Sequence, residues 1–193
     1  TPVAVISACV EDALPGSTAD IRDNLDTIKD EAERMKRMIA QLLMLSRGYE
    51  GHCHFEPEQI NLFDMADSVS EELKSAAEHE KITIHNDIDR ALEVAVDQNL
   101  MTQLFVNLLG NAIKYGKAGG NVWLNASTRK SEVQIDIADD GIGIGQEDQL
   151  HIFDRFYRAD KARDRSGSGL GLAIAKWIVE MHRGKIFVES CLG

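Results

Sequence analysis

Asn107 and Asn111 stand four apart in NLLGNAIKYG, a spacing that on a helix puts two carboxamides on one face. Neutral amide oxygens are ligands that a Mg²⁺ ion carrying ATP phosphates accepts. Lys114 follows one turn beyond Asn111 and can place a cation on those phosphates, while Leu108, Leu109 and Ile113 point to a core. One helix would then both pack and bind.

Two glycine-rich segments follow in order. In DDGIGI (139–144) and the next residue, glycines at 141, 143 and 145 open backbone angles closed to other residues and let a ligand approach the main chain. Asp139 ends an alternating strand, which carries its carboxylate to the rim of a sheet where it can accept a hydrogen bond from an adenine amino group. GSGLGL (167–172) reads as a mobile glycine loop passing into a helix from about Leu170 to Met181, with free N–H groups facing a phosphate. Each segment alone is also an ordinary glycine turn. Together, in one order within about 70 residues, they point to a nucleotide.

These residues resemble the cytoplasmic core of a bacterial two-component sensor histidine kinase, of the GHKL ATPase superfamily. The likeness spans nearly the whole chain: DQNLMTQLFVNLLGNAIKYG corresponds to the N box, DDGIGI to the G1 box, IFDRFYRAD to the F box and GSGLGL to the G2 box. The resemblance implies ATP and Mg²⁺ as ligands. Asn111 would hold the metal, Asn107 would help position the γ-phosphate, and Lys114 and Arg158 would touch phosphates. Tyr115 would line the pocket and Asp139 would read adenine. Gly141, Gly143 and Ile144 of the first glycine box, and Gly167, Gly169, Leu170, Gly171 and Leu172 of the second, would border the nucleotide. Phe153 and Phe156 would help fold a lid over it.

Composition fits a chain that buries a core: 193 residues, 44% apolar and 27% charged, with a net charge of −11. Such acidity repels nucleic acid and anionic membrane, so a polyphosphate binds only where a metal and a few local cations reverse the field. Cys9, Cys53 and Cys191 are scattered and odd in number, as expected of free thiols in a reducing compartment. No apolar run reaches the roughly 18–20 residues of a membrane span, and no signal peptide opens the chain. A cytoplasmic domain of an inner-membrane sensor, itself without membrane contact, is the expectation.

The first quarter follows a different pattern. Ile21, Leu25, Ile28, Ala32, Met35, Ile39 and Leu42 recur at steps of four and three, a heptad seam. Val3, Ile6, Val10 and Ala13 form a shorter stripe before it, and Pro15-Gly16-Ser17 offers the reversal between them. A two-helix hairpin buries too little to stand alone, so pairing with a second copy as a four-helix bundle is expected, with packing on its own catalytic domain as the other solution. In the resembled family this hairpin is the dimerisation and phosphotransfer domain.

The remainder reads as α+β: an α/β sandwich with a mixed sheet backed by helices. A helix from about Leu62 to His79 is expected, then strands at ITIHND and LEVAV, the Asn107 helix, and strands at NVWLNAS and EVQIDIAD, where Val133, Ile135 and Ile137 alternate with Gln134, Asp136 and Ala138. The expected division is 1–47 for the hairpin, 48–58 for a linker and 59–193 for the ATP-binding domain. ESCLG stops where the family continues into one further strand, which the domain is therefore expected to lack.

The family's phosphoacceptor motif is a histidine, an acidic residue, two variable residues and Thr-Pro. The chain opens on Thr1-Pro2, so that histidine would stand four residues before Thr1, outside this sequence. Thr1 would occupy the position that assists dephosphorylation of the partner in many members. His79-Glu80-Lys81-Ile82-Thr83 imitates the motif but lacks the proline and falls where a helix gives way to a strand. His52, Cys53 and His54 lack the separated second pair of a zinc site. His85, His151 and His182 are expected at the surface or partly buried.

The implied chemistry is transfer of the ATP γ-phosphoryl group to a histidine and then to an aspartate on a response-regulator receiver domain. Two other functions fit parts of the pattern. One is a GHKL-type ATPase, whose members generally carry a glutamate where this chain has Asn107, a side chain that cannot serve as a general base. The other is a dimeric ATP-binding scaffold or signalling module without phosphotransfer.

Overall fold

A computed structural model describes residues 2–13, 18–49, 54–130, 132–159 and 168–192. The chain divides into two compact units, Thr1–His52 and Cys53–Gly193.

The first unit is helical. Helix α1 (Pro2–Ala13) packs against α2 (Thr18–Tyr49), which at 32 residues is about 48 Å long. On α2 a part-buried Arg34–Glu31 pair at 2.9 Å and an exposed Lys36–Glu33 pair at 3.5 Å each join side chains about one turn apart. Much of the heptad stripe stays in contact with solvent: Leu25 is 58% exposed and Ile39 53%, with Ile21 and Leu42 also exposed and Val3 and Val10 likewise on α1. Pro15-Gly16-Ser17 lies outside the described residues. Helix α2 runs to Tyr49, two residues past the expected end of the hairpin.

In the second unit two small sheets carry the strands. Strands β1 (Glu58–Asn61) and β3 (Glu93–Val96) pair antiparallel. The larger sheet runs β2 (Thr83–Asn86), β4 (Asn121–Arg129), β5 (Glu132–Asp139), with β2 parallel and β5 antiparallel to β4. Val122 and Leu124 of β4 are fully buried while the alternating Trp123 and Asn125 are not, so one face of this sheet is covered and the other is not. Helices α3 (Leu62–Glu72), α5 (Gln98–Tyr115) and α7 (Gly171–Met181) supply the cover. Phe105, Leu109, Leu62, Ile174 and Ile178 are wholly buried, and burying each such side chain is worth roughly 1.5–3 kcal/mol. The mixed α+β architecture is the one expected.

Three local departures have identifiable causes. The expected helix from Leu62 to His79 breaks at Leu73, giving α3 and a shorter α4 (Lys74–Glu80). Ser68 and Ser70 hydroxyls bond back to the carbonyls of Asp64 and Ala66, an arrangement that weakens the preceding turn. Strand β1 falls at the end of the expected linker: four residues with one buried-type side chain show no readable alternation, and pairing with β3 is what makes them a strand. Helix α6 (Gln146–Gln149) is a single turn, too short to carry a period.

Helix ends follow side-chain chemistry at the start and backbone geometry at the finish. Asn61 and Asp97 cap α3 and α5, accepting from the Asp64 and Leu100 amides at 3.0 and 3.1 Å. Helix α4 ends on Lys81 in the left-handed region (φ 58°), with Ile82 N–H returning to the Ala77 carbonyl at 2.8 Å. Glycine suits that position better than lysine. Lys81→Gly should therefore raise the unfolding free energy of this unit by about 0.5–1 kcal/mol, read as a higher urea midpoint; an unchanged or lower midpoint would show that the lysine side chain itself holds the turn.

Candidate nucleotide-binding site

Helix α5 places the asparagines. Its Leu100, Met101, Leu104, Phe105, Leu109, Ala112 and Ile113 are buried, so the opposite face carries Gln103, Asn107, Asn111 and Lys114. Asn107 Oδ1 accepts from Gln103 Nε2 at 3.3 Å. Its Nδ2 is buried and has no hydrogen-bond partner among the described residues. An orphaned buried donor costs about 1–3 kcal/mol, and a phosphate oxygen is an acceptor of the kind it lacks. Gly171, the first residue of α7, stands beside it: a Cβ there would lie 3.7 Å from Asn107 Oδ1. The start of α7, with its unpaired N–H groups, thus faces the same point.

At the far end of α5 the backbone meets the first glycine segment. The Tyr115 carbonyl accepts the Ile142 N–H at 3.1 Å, and a Cβ on Gly141 would run into that same carbonyl, so only glycine fits. Asp139 Oδ1 accepts the Gly141 N–H at 2.9 Å, which holds an exposed carboxylate at the sheet rim. Tyr115 is 41% exposed and Lys114 Nζ sits 5.2 Å from the centre of its ring. Between Asn107 and Tyr115 the helix rises about 12 Å. Amides and carboxylate therefore lie at two ends of an extended face.

The expected site residues separate into groups. Asn107 and Gly171 come together, as do Tyr115, Asp139 and Gly141. Gly143 (φ 71°) is pressed against the Cys191 carbonyl, and Ile144 N–H donates to Ser190 Oγ at 2.9 Å, so this part of the segment is occupied by the chain's own residues 190–192. Leu170 is wholly buried and its side chain belongs to the core, while Leu172 and Asn111 are half-buried. Gly167 and Thr1 lie outside the described residues.

The F-box region folds as successive turns pinned by Tyr157 OH, which donates to Asp148 Oδ1 at 2.6 Å, a bond that pushes the phenol's pKa upward. Ile152 is buried; Phe153 and Arg158 are half-buried. Phe156 is 55% exposed and contributes through its backbone: its N–H donates to the Gly169 carbonyl at 2.8 Å, and Phe156 itself has φ 62°. Gly169 (φ 70°) has room for no Cβ, which would stand 2.8 Å from the Phe156 backbone. The backbones of Phe156 and Gly169 are thus held together.

Two contributors were not legible in the motifs. Gln103 continues the four-residue spacing back from Asn107, a signal that could have been followed. Asp140 gives none. It accepts from Asn121 N–H at 2.9 Å and Asn121 Nδ2 at 3.3 Å, with Lys117 Nζ at 3.8 Å, and so clamps the start of β4 to the glycine segment. The Asn121 backbone bond is the main cause of its lowered pKa.

The other histidines are accounted for separately. His79 pairs with Glu80 at 3.0 Å on the exposed end of α4, and His85 stacks on Trp123 and bonds Asn121 Oδ1 at 2.8 Å. Cys9 and Cys191 are free thiols. Among the described residues no group of three or more His, Cys, Asp or Glu side chains could hold a metal.

A sheet with one face covered by helices, glycine segments at one end and an amide-bearing helix between them defines an ATPase-type nucleotide sandwich. Residues 96–193 match the profile of the histidine kinase-, DNA gyrase B-, and HSP90-like ATPase family, and the chain belongs to that family. Sensor histidine kinase WalK of Bacillus subtilis is 36% identical over 200 residues, an alignment spanning 100% of this chain and 33% of that protein. Full-length ShkA, solved in complex with AMPPNP, superposes with a TM-score of 0.79 at 21% identity, covering 100% of this chain and 44% of that one. Histidine kinase ThkA, solved with response regulator protein TrrA, gives a TM-score of 0.74 at 21% identity over 98% and 54% of the two chains. The chain spans a third to a half of the length of such relatives.

The Asp140 clamp has a pH signature. Because the folded state holds this carboxyl below its ordinary value, its stabilising contribution is fully present above the ordinary carboxylate range and is lost as pH falls through the lowered value. Asp140→Asn should be less stable than wild type at neutral pH, with the gap closing in acid; a gap independent of pH in paired urea titrations would exclude the clamp. Gly169→Ala should cost about 1–2 kcal/mol from its left-handed backbone alone, seen as a lowered melting temperature.

Proposed function

We propose that this chain is the catalytic core of a sensor histidine kinase, which transfers the ATP γ-phosphoryl group to a histidine and supports its passage to an aspartate on a response-regulator receiver domain. The observation that carries this is Asn107, whose buried Nδ2 has no partner among the described residues and whose Oδ1 stands beside the start of α7, with the exposed Asp139 carboxylate held near the other end of α5. An adenine at Asp139 and a phosphate tail along α5 satisfy both.

Phosphoryl transfer depends on positioning and charge neutralisation more than on covalent participation by the protein. Asn107 Nδ2 donates to a phosphate oxygen, Lys114 and Arg158 bring positive charge to the tail, and Asp139 accepts from the adenine amino group. Tyr115, Gly141 and the 167–172 segment border the nucleotide, Gly143 and Ile144 back the first glycine segment by packing on residues 190–192, and Phe153 and Phe156 fold the region over it. Mg²⁺, held by Asn111, would neutralise charge between the phosphates when bound. In a chain of net charge −11 that neutralisation is what allows a polyphosphate to approach.

Hydrolysis is disfavoured because Asn107 holds the place of a water-activating glutamate and has no basic lone pair at neutral pH. The ShkA complex with an ATP analogue and the ThkA complex with a response regulator support the nucleotide and the partner proposed here. The hairpin's exposed Leu25, Ile39 and Leu42 suit a second copy of the chain in a four-helix bundle. Among the described residues no helix is long and apolar enough to cross a membrane. Membrane attachment, as part of an inner-membrane sensor with this unit on the cytoplasmic side, would come from other parts of the parent protein.

Asn111→Ala should weaken Mg·ATP binding about 10–100-fold, the range of a charge-assisted contact, when titrated with a fluorescent ATP analogue; equal affinities would remove Asn111 from the metal site. Ile28→Glu places a charge in the seam and should turn dimer into monomer in sedimentation. A dimer persisting in that variant would move the interface off the heptad stripe.

A further inference from the structure

Asp97 is the one buried polar or charged residue among the described ones, and three backbone elements meet on it. Its Oδ1 accepts the Leu100 N–H at 3.1 Å, capping α5, and its Oδ2 accepts the Glu56 N–H at 3.1 Å. Its own N–H points at His182 Nε2, 3.1 Å away. The other ring nitrogen, Nδ1, lies 2.8 Å from the Ile178 carbonyl in the last turn of α7, and Phe55 stands edge-on to the imidazole at 5.0 Å. A carbonyl only accepts and a backbone amide only donates. The two contacts together therefore need one tautomer, with the proton on Nδ1 and a lone pair on Nε2.

His182 thus bridges the beginning of α5 and the end of α7. The same two helices meet again where Gly171, at the beginning of α7, stands against Asn107. They run antiparallel, and the ten-residue step from Asp97 to Asn107 and the eleven-residue step from Gly171 to His182 both rise about 15–17 Å. With side chains packed between them, a displacement at the His182 end is carried along α7 to the Gly171 end. We propose that His182 is a positioning residue for the nucleotide site: through Asp97 it holds α7 in register on α5, so that Gly171 and the N–H groups after it stay aligned with Asn107. It touches no ligand. The same cap ties residues 55 and 56, where the chain enters this unit, to both helices. The inference rests on the reading of this face as an ATP site and adds to it a residue outside all four motif boxes.

The test uses the whole chain. Nitrogen-15 spectra of the imidazole should show His182 as the neutral Nδ1–H tautomer, and the opposite tautomer would overturn the bridge. Titration with a fluorescent ATP analogue in Mg²⁺ should show His182→Ala binding about three- to tenfold more weakly than wild type, the loss expected for one or two neutral hydrogen bonds. His182→Gln, whose amide oxygen can take the place of Nε2, should recover most of that affinity. The Asn107 side-chain amide signals should shift in the alanine variant and return in the glutamine variant.

A purely structural role would lower the melting temperature of the alanine variant and leave affinity and the Asn107 signals alone, and that outcome overturns the proposal. If the alanine variant does not fold, the tautomer and the affinity of the glutamine variant decide. If the wild type binds no nucleotide, the ATP reading fails by itself, and the Asn107 signals still decide whether His182 positions that side chain.

Discussion

Helix α5 has to keep one face dry and leave the other incompletely satisfied. Seven of its side chains are buried against the sheet and the flanking helices, which fixes its rotation and so fixes where the asparagine face points. Rotation by one residue, about 100°, would bury Asn107 in the core or carry a leucine into solvent. The orphaned Asn107 Nδ2 is tolerable only because burial of the other face outweighs it: roughly 1–3 kcal/mol lost against several side chains each worth a similar amount. That surplus lets a binding face be preorganised before any ligand arrives.

Around this helix, close backbone approach does more than flexibility. Gly141 lets the Tyr115 carbonyl come near, Gly143 admits the Cys191 carbonyl, and Gly169 lies on the backbone of Phe156. In each case a Cβ would collide with main chain, which cannot swing aside as a side chain can. The glycine segments are accordingly anchored at defined points, and Asp140 adds a charged clamp at the start of β4.

The two units solve different physical problems. The second unit closes its own core, so its exposed chemistry can be local and polar. The hairpin does not close a core: its heptad stripe remains in water along much of α2, and the exposed Lys36–Glu33 pair adds solubility more than stability. An apolar stripe of this length is stable when another helical surface covers it.

Much of this was readable in the residues themselves. Period-2 alternation at 132–139 and in β4, the 3.6 period of α5 and the ordered glycine boxes are local signals, set by how side chains alternate or recur along one element, and the α+β class and the family follow from them. What lay beyond reach depended on partners distant in sequence. Strand β1 exists because β3 lies beside it; Asp140, a neighbour of the motif aspartate, became a clamp because Asn121 came within reach; and His182, unremarkable in a helical tail, acquired a role through Asp97, 85 residues away. The sequence by itself determined which faces must be apolar and which side chains could meet a phosphate. Only the tertiary structure decided which carboxylate clamps, which caps a helix and which stays exposed, since a hydrogen bond acts over about 3 Å and nothing in one dimension says which groups will come that close.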